Sequence, residues 1–99
     1  MKRLKNIHPG EILEEEFLLP LEISAYKLSK EIGVPQTRIS QIIHQKRGIT
    51  ADTALRLAKY FGNTSKFWLG LQADYDLEQA EIENAHELQQ IKQFKNDAA

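Results

Sequence analysis

The sequence predicts an all-α fold, a compact domain of five helices with a helical extension at its C-terminus. Apolar residues recur at intervals of three and four along most of the chain, as they do on the buried faces of helices. Glycine and proline separate these periodic segments, and no segment shows the alternation that is typical of a strand. The 99 residues, 41% of them hydrophobic, suit one small domain with a single core.

The first predicted helix follows a short basic arm in which no periodicity is visible. Pro9 suits the first turn of this helix, because the N–H that proline lacks has no partner there. Ile12, Leu13 and Phe17 form the buried stripe, and Pro20 ends the helix.

The stretch 24–47 predicts two short helices that are joined by a tight turn. Ser24 stands where the first of them needs an N-cap, and Gly33 supplies the left-handed residue that ends it. Pro35 suits the start of the second helix. The buried face of that second helix is predicted to carry Ile39, Ile42 and Ile43.

Two longer helices are predicted after this unit. Thr50 is the expected N-cap of the fourth helix and Gly62 its stop, with an inner stripe made of Ala51, Ala54, Leu55, Ala58 and Phe61. The fifth helix begins near Ser65, and its apolar stripe should close the core with Phe67, Trp68, Leu71 and Tyr75. A weaker helical pattern continues beyond it in an acidic, glutamine-rich background.

The central unit resembles a helix-turn-helix, since Ser29 is a small residue four positions before Gly33 and apolar Val34 follows the glycine. Alanine is more usual at the position of Ser29. Three segments extend the likeness over roughly residues 7–80: HPGEIL, ISAYKLSKEIGVPQTRISQIIHQKRGITADTALRLAKYFG and FWLGLQADYDLE. In this order they are similar to the HigA (VapI-like) antitoxin family, within the Cro and phage-repressor class.

This resemblance implies a lambda-repressor-like DNA-binding domain at residues 1–80, including the N-terminal arm, and an acidic helical tail at residues 81–99. It also implies a homodimer that binds double-stranded operator DNA and represses transcription. The family's second activity would be to bind and neutralise a HigB-type toxin of the RelE ribonuclease class, so that antitoxin and complex together repress their own operon.

The charge distribution agrees with DNA binding, although the net charge of −1 does not. Residues 27–59 hold seven Lys or Arg against two Asp or Glu, whereas residues 70–99 hold two against seven. A basic patch inside a nearly neutral chain is the electrostatic footprint expected of a DNA-binding surface.

The second helix of the central unit is predicted to read bases. Successive helical residues turn by about 100°, so Thr37 and Gln41 point away from the buried Ile39. In this motif the N-terminal part of the second helix enters the major groove, where amide, hydroxyl and guanidinium groups pair with base edges. An ordinary solvated face is the alternative. The predicted base contacts are Gln36, Thr37, Arg38, Ser40, Gln41 and His44.

Contacts to phosphate are predicted from donors that flank this helix. Lysine, arginine and hydroxyl side chains, together with the N–H groups at a helix N-terminus, bind phosphate oxygens without reading sequence. Each of them taken alone could be a plain surface residue. The predicted phosphate contacts are Ser24, Lys27, Lys46, Arg47 and Thr50.

One helix-turn-helix reads only a few base pairs, which favours a homodimer. Apolar side chains outside the central unit that could form its interface are Ile7, Trp68, Leu71 and Tyr75.

Other function classes find little support. The chain has no cysteine, its three histidines have no neighbours at ligand spacing, and no phosphate-binding loop or catalytic triad pattern is present. We therefore expect no enzyme activity, no metal and no cofactor. No apolar run approaches membrane-spanning length, so we expect a cytoplasmic protein without a membrane partner. A regulator without a toxin and a purely protein-binding helical scaffold remain as alternatives.

Overall fold

The computed structural model describes residues 5–95, and within that range all regular secondary structure is helical, with no strand. The predicted all-α fold is confirmed. Its six α-helices are α1 (Pro9–Ile12), α2 (Ala25–Ile32), α3 (Gln36–Ile43), α4 (Ala51–Phe61), α5 (Ser65–Glu83) and α6 (Ala85–Gln89).

The first helix differs from its prediction as a single α-helix, because α1 continues into a π-helical segment, Leu13–Leu18. The wider spacing persists at its end, where the N–H of Leu19 donates to the carbonyl of Glu14 over 2.9 Å. Residues five apart point to different sides of an α-helix, whereas i→i+5 bonding brings them towards one side. As a result both Leu13 and Leu18 are buried.

The helix-turn-helix forms as its sequence predicts. The Ser24 hydroxyl accepts a hydrogen bond from the N–H of Lys27 at 3.0 Å, which caps α2. Gly33 ends α2 in the left-handed conformation, with φ 71° and ψ 39°. Pro35 is the N-cap of α3 and has an extended backbone. Ile39 and Ile42, on the inner face of α3, are fully buried.

The N-terminus of α1 crosses the backbone of α3 at Gly10. An ideal Cβ on Gly10 would lie 1.8 Å from the carbonyl oxygen of Ile42, so no side chain fits between the two helices. His8 caps α1 by accepting the N–H of Gly10 at its Nδ1 over 2.9 Å, and its buried ring packs edge-on against Tyr75. Desolvation of this buried ring lowers the pKa of His8, against the raising effect of the Asp76 charge.

Trp68 closes the core, as the aromatic stripe predicted. Its side chain is fully buried, it packs against Phe17, and its Nε1–H donates to Oδ1 of Asn63 over 2.9 Å. Phe67 lies at the rim of the core and is 41% exposed. Since Trp68 is enclosed by its own domain, the expectation that it is an exposed candidate for a dimer interface was wrong.

The predicted inner stripe of α4 was wrong in part. Ala51 and Leu55 are exposed, Leu55 to 57%, and the helix instead buries Thr53 and Leu57 beside the expected Ala54 and Ala58. The core requires only a narrow stripe of this helix. Thr50 stands at the N-cap with an extended backbone, but its hydroxyl makes no capping bond and lies 3.5 Å from the Thr53 hydroxyl.

The C-terminal part of the chain leaves the core along α5, whose last turn precedes α6. Every residue from 81 to 95 is exposed, and α6 packs against α5. The proposed boundary between domain and tail, at residues 80 and 81, lies inside α5. Within residues 5–95, no helix is both long enough and apolar enough to cross a membrane.

Candidate nucleic-acid interface

The outer face of α3 carries the predicted base-contacting side chains. Gln36, Thr37, Gln41 and His44 are exposed, whereas Arg38 and Ser40 are partly buried. The helix buries its isoleucines on the opposite side, so the polar face is fixed by the core. Pro35 precedes the first turn without a side-chain cap, which leaves Gln36 and Thr37 at a free N-terminal end.

Four of the predicted residues line one shallow groove beside the C-terminal half of α3: Ser40, Gln41, His44 and Lys46. The α3 helix ends here in a tight turn. The N–H of Lys46 donates to the carbonyl of Gln41 over 2.8 Å, and Gln45 adopts the left-handed region with φ 62°. This turn brings a predicted phosphate-binding lysine next to a predicted base-reading glutamine.

His44 is held in one tautomer by the backbone. Its Nδ1 lies 2.7 Å from the carbonyl oxygen of Ser40, which can only accept, so Nδ1 carries the proton. The Nε2 of a neutral His44 is then an acceptor, suited to a donor such as an exocyclic amine of a base.

Arg38 belongs to a second cluster, in which it shares one carboxylate with Arg56. Its guanidinium donates to Oδ2 of Asp52 over 3.0 Å, and Nε of Arg56 lies 3.1 Å from each Asp52 oxygen. The hydrogen bond from Arg56 lowers the pKa of the Asp52 carboxyl, and Arg38 lowers it further, against the opposing effect of desolvation.

Arg56 also connects this cluster to the end of α2. Its guanidinium donates to the carbonyl of Ile32 over 2.8 Å and approaches that of Gly33 at 3.4 Å. These carbonyls are at the negative end of α2, where a cation is favourable. One side chain of α4 therefore holds the turn of the helix-turn-helix, and Asp52 extends the connection to α3.

Two predicted phosphate contacts, Arg47 and Thr50, line a groove together with Arg38. The wall of that groove comes from α5, since Gln72 accepts the N–H of Ile49 over 2.7 Å and donates to Asp76 over 2.9 Å. Gln72 thereby fixes the loop between α3 and α4. Three predicted contacts thus line this groove and four line the groove at the C-terminal half of α3, whereas Gln36 and Thr37 line neither.

The remaining predicted phosphate contacts lie at the start of α2. Ser24 and Lys27 are both exposed, and the N–H of Lys27 is already bound by the Ser24 hydroxyl. That hydroxyl keeps its own proton, which is available to a phosphate oxygen. These two side chains line neither groove.

The sequence analysis counted Asp52 and Arg56 in the charge balance of residues 27–59 and predicted no contact for either. Their i,i+4 spacing on a predicted helix is enough to predict the ion pair between them. Their link to Arg38 and to the carbonyls of α2 depends on how α4 packs across the motif, which no local pattern gives.

Comparison with known families matches residues 15–69 to the family HTH_3, described as Helix-turn-helix. Virulence-associated protein I of Dichelobacter nodosus is 55% identical over 75 residues, which make up 76% of this chain and 69% of that protein. The chain belongs to this helix-turn-helix family. The predicted membership is confirmed.

Antitoxins are among its relatives. Antitoxin HigA-1 of Vibrio cholerae is 40% identical over 68 residues, covering 69% of this chain and 64% of that protein. The structure of the Pseudomonas aeruginosa antitoxin HigA with the higBA promoter matches with a TM-score of 0.88 and 37% identity, over 92% of this chain and 100% of that one. The structure of the antitoxin GraA in complex with its operator matches with a TM-score of 0.87 and 35% identity, over 97% and 98%. The chain is a helix-turn-helix regulator of the HigA-like type.

Proposed function

We propose that this protein is a homodimeric repressor that binds a specific operator through α3 and neutralises a HigB-type ribonuclease toxin. The observation that carries the DNA-binding part is the outer face of α3, where exposed Gln41 and His44 share a groove with Lys46. Amide and imidazole groups suit base edges, and a lysine at the rim suits a phosphate.

This arrangement supports the following assignment of roles, which is part of the proposal. Gln36, Thr37, Arg38, Ser40, Gln41 and His44 contact bases. Ser24, Lys27, Lys46, Arg47 and Thr50 contact phosphates on either side. Support for an operator as the ligand comes from the related antitoxins HigA and GraA, whose structures contain promoter or operator DNA.

The test of operator binding is fluorescence anisotropy with a duplex taken from the region upstream of the protein's own gene. A scrambled duplex of the same length and composition is the control. We expect a preference of about a thousandfold or more at physiological salt, the lower end of what specific regulators show. Equal affinity for the two duplexes would refute operator recognition.

The dimer is proposed because one motif reads too few base pairs for useful specificity. Because Trp68 is buried, the remaining candidates for the dimer interface are Ile7, which is 48% exposed, and the partly buried Leu71 and Tyr75. Ile7, Leu71 and Tyr75 line one groove between the N-terminal segment and α5. Light scattering at tens of micromolar protein should give twice the chain mass, and a monomer there would contradict the proposal.

The toxin-binding surface is proposed to include the acidic tail. Exposed apolar side chains on the tail and on the turn of α5 before it lie among carboxylates, namely Leu77, Ile82, Leu88, Ile91 and Phe94. A basic protein would be steered by the charge and held by apolar contact. The tail also lies away from the core, so its removal should spare the rest of the fold.

A truncation after Glu83 tests the apolar part of this surface, because it removes Leu88, Ile91 and Phe94 but no net charge, and it keeps α5 and the hydrogen bond from Asn6 to Gln79. We expect weaker capture of the toxin encoded beside this gene and unchanged operator affinity. Unchanged capture would remove residues 84–99 from the mechanism.

A second candidate is a regulator without a toxin. Support for it comes from the HTH-type transcriptional regulator YbaQ of Escherichia coli, which is 42% identical over 76 residues, covering 77% of this chain and 66% of that protein. Co-expression separates the two possibilities, since only an antitoxin should restore growth to cells that make the neighbouring gene product.

A further inference from the structure

Arg38 differs from His44 and Ser40 on the outer face of α3 because its guanidinium is paired with a side chain of another helix, Asp52 of α4. It is only 29% exposed, and its bond to Asp52 joins the first turn of α3 to the first turn of α4. The bond uses one of the five N–H donors of the guanidinium, so four remain for DNA.

The partner of Arg38 is itself held in place. Both oxygens of Asp52 lie 3.1 Å from Nε of Arg56, and Arg56 in turn donates to the carbonyl of Ile32 at the end of α2. A series of four groups therefore runs from α2 through α4 to α3. It carries two positive charges and one negative charge, which leaves one positive charge facing the nucleic acid.

A long side chain that is ordered before binding loses less conformational entropy when it meets a base. We propose that Asp52 is a positioning residue that determines specificity, because it holds the Arg38 guanidinium ready for a base edge. This inference rests on the proposed operator binding. Asp52 touches Arg38 and Arg56 and needs no contact with DNA for this role.

Asp52 has a second effect, which is electrostatic. A carboxylate near the DNA backbone repels phosphates of any sequence, so its loss should strengthen binding to operator and scrambled DNA alike. This effect cancels in the ratio of the two affinities. Only the loss of order in the Arg38 side chain should therefore lower that ratio.

The experiment measures the ratio of operator affinity to scrambled-duplex affinity by fluorescence anisotropy. The wild type is compared with Asp52→Asn, Arg38→Ala, the double variant, and Glu31→Gln as a matched control. Glu31 is an exposed carboxylate at the end of α2, and its change removes one negative charge outside the Arg38 contact.

We expect Asp52→Asn to lower the ratio by about two- to tenfold, the range for ordering one long side chain. The same change should have no further effect on the ratio when Arg38 is alanine, and Glu31→Gln should leave the ratio unchanged. A ratio that Asp52→Asn does not alter would overturn the inference, as would an equal fall in the Arg38→Ala background. A wild type that does not distinguish the duplexes would overturn operator binding itself, and the inference with it.

Discussion

Gly10 lies where α1 crosses the backbone of α3, and Gly10→Ala tests whether that contact is as tight as the structure shows. The added Cβ would lie 1.8 Å from the oxygen and 2.7 Å from the carbon of the Ile42 carbonyl. The neighbour is backbone, so no side chain can rotate away. That carbonyl also accepts the N–H of Gln45 at the end of α3, which ties it further.

The magnitude follows from how little the two helices can move. Ile39 and Ile42 fix α3 in the core with no exposed surface, and Leu13 fixes the chain that follows α1. Overpacking of this kind costs about 1–3 kcal/mol, and a clash with rigid backbone belongs at the upper end. For a chain of 99 residues, about 3 kcal/mol corresponds to a fall in Tm of about 12–24 °C.

Thermal unfolding followed by circular dichroism measures this effect, with Gly70→Ala as the matched control. Gly70 lies within α5, and a Cβ there would meet no atom within 4 Å. Alanine is the better helix former, so Gly70→Ala should stabilise the protein by about 0.5–1 kcal/mol. Similar shifts in Tm for the two variants would refute the close packing of α1 on α3.

Three further predictions concern the free energy of unfolding of the domain. Burial lowers the pKa of His8, so the unfolded chain takes up a proton near pH 6.5 that the folded chain resists. Stability should therefore fall as pH drops below that value, and His8→Asn, which keeps a capping acceptor, should reduce the fall in denaturant titrations at pH 7 and pH 5. Trp68→Ala should cost about 3–5 kcal/mol in urea unfolding, whereas Phe94→Ala, at an 84% exposed position, should change little. Gln72→Ala leaves the N–H of Ile49 without its acceptor and should cost about 1–3 kcal/mol by the same assay. A flat pH profile in the wild type, equal effects at Trp68 and Phe94, or an unchanged midpoint for Gln72→Ala would each contradict the packing described.

The helix-turn-helix could be predicted because its signals are local. Ser24 caps through a neighbouring N–H, Gly33 ends α2 through its own backbone angles, and Pro35 sets the start of α3. The outward face of α3 was also predictable, because the buried isoleucines fix its rotation. These features depend on spacing within one or two helical turns, which a sequence displays directly.

The features that were missed depend on contacts between distant parts of the chain. The π-helical segment arises because Leu13 and Leu18 are both drawn into one core, and no local preference distinguishes it from an α-helix. Leu55 has the right spacing for burial, yet the packing of residues 5–95 leaves it 57% exposed. The shared carboxylate of Asp52 needs residues 14 positions apart to meet, as the Arg38 contact shows.

The most direct test of the proposed function compares Gln41→Ala with Lys46→Ala in salt titrations on operator and scrambled duplexes. The two side chains line the same groove beside α3, so they differ in chemistry rather than location. Gln41→Ala should cost about 1–3 kcal/mol on the operator and little on the scrambled duplex, because it removes a base contact. Lys46→Ala should weaken both alike and lower the salt slope by about one unit, because it removes a phosphate contact. An equal loss on both duplexes for Gln41→Ala would contradict base reading by α3.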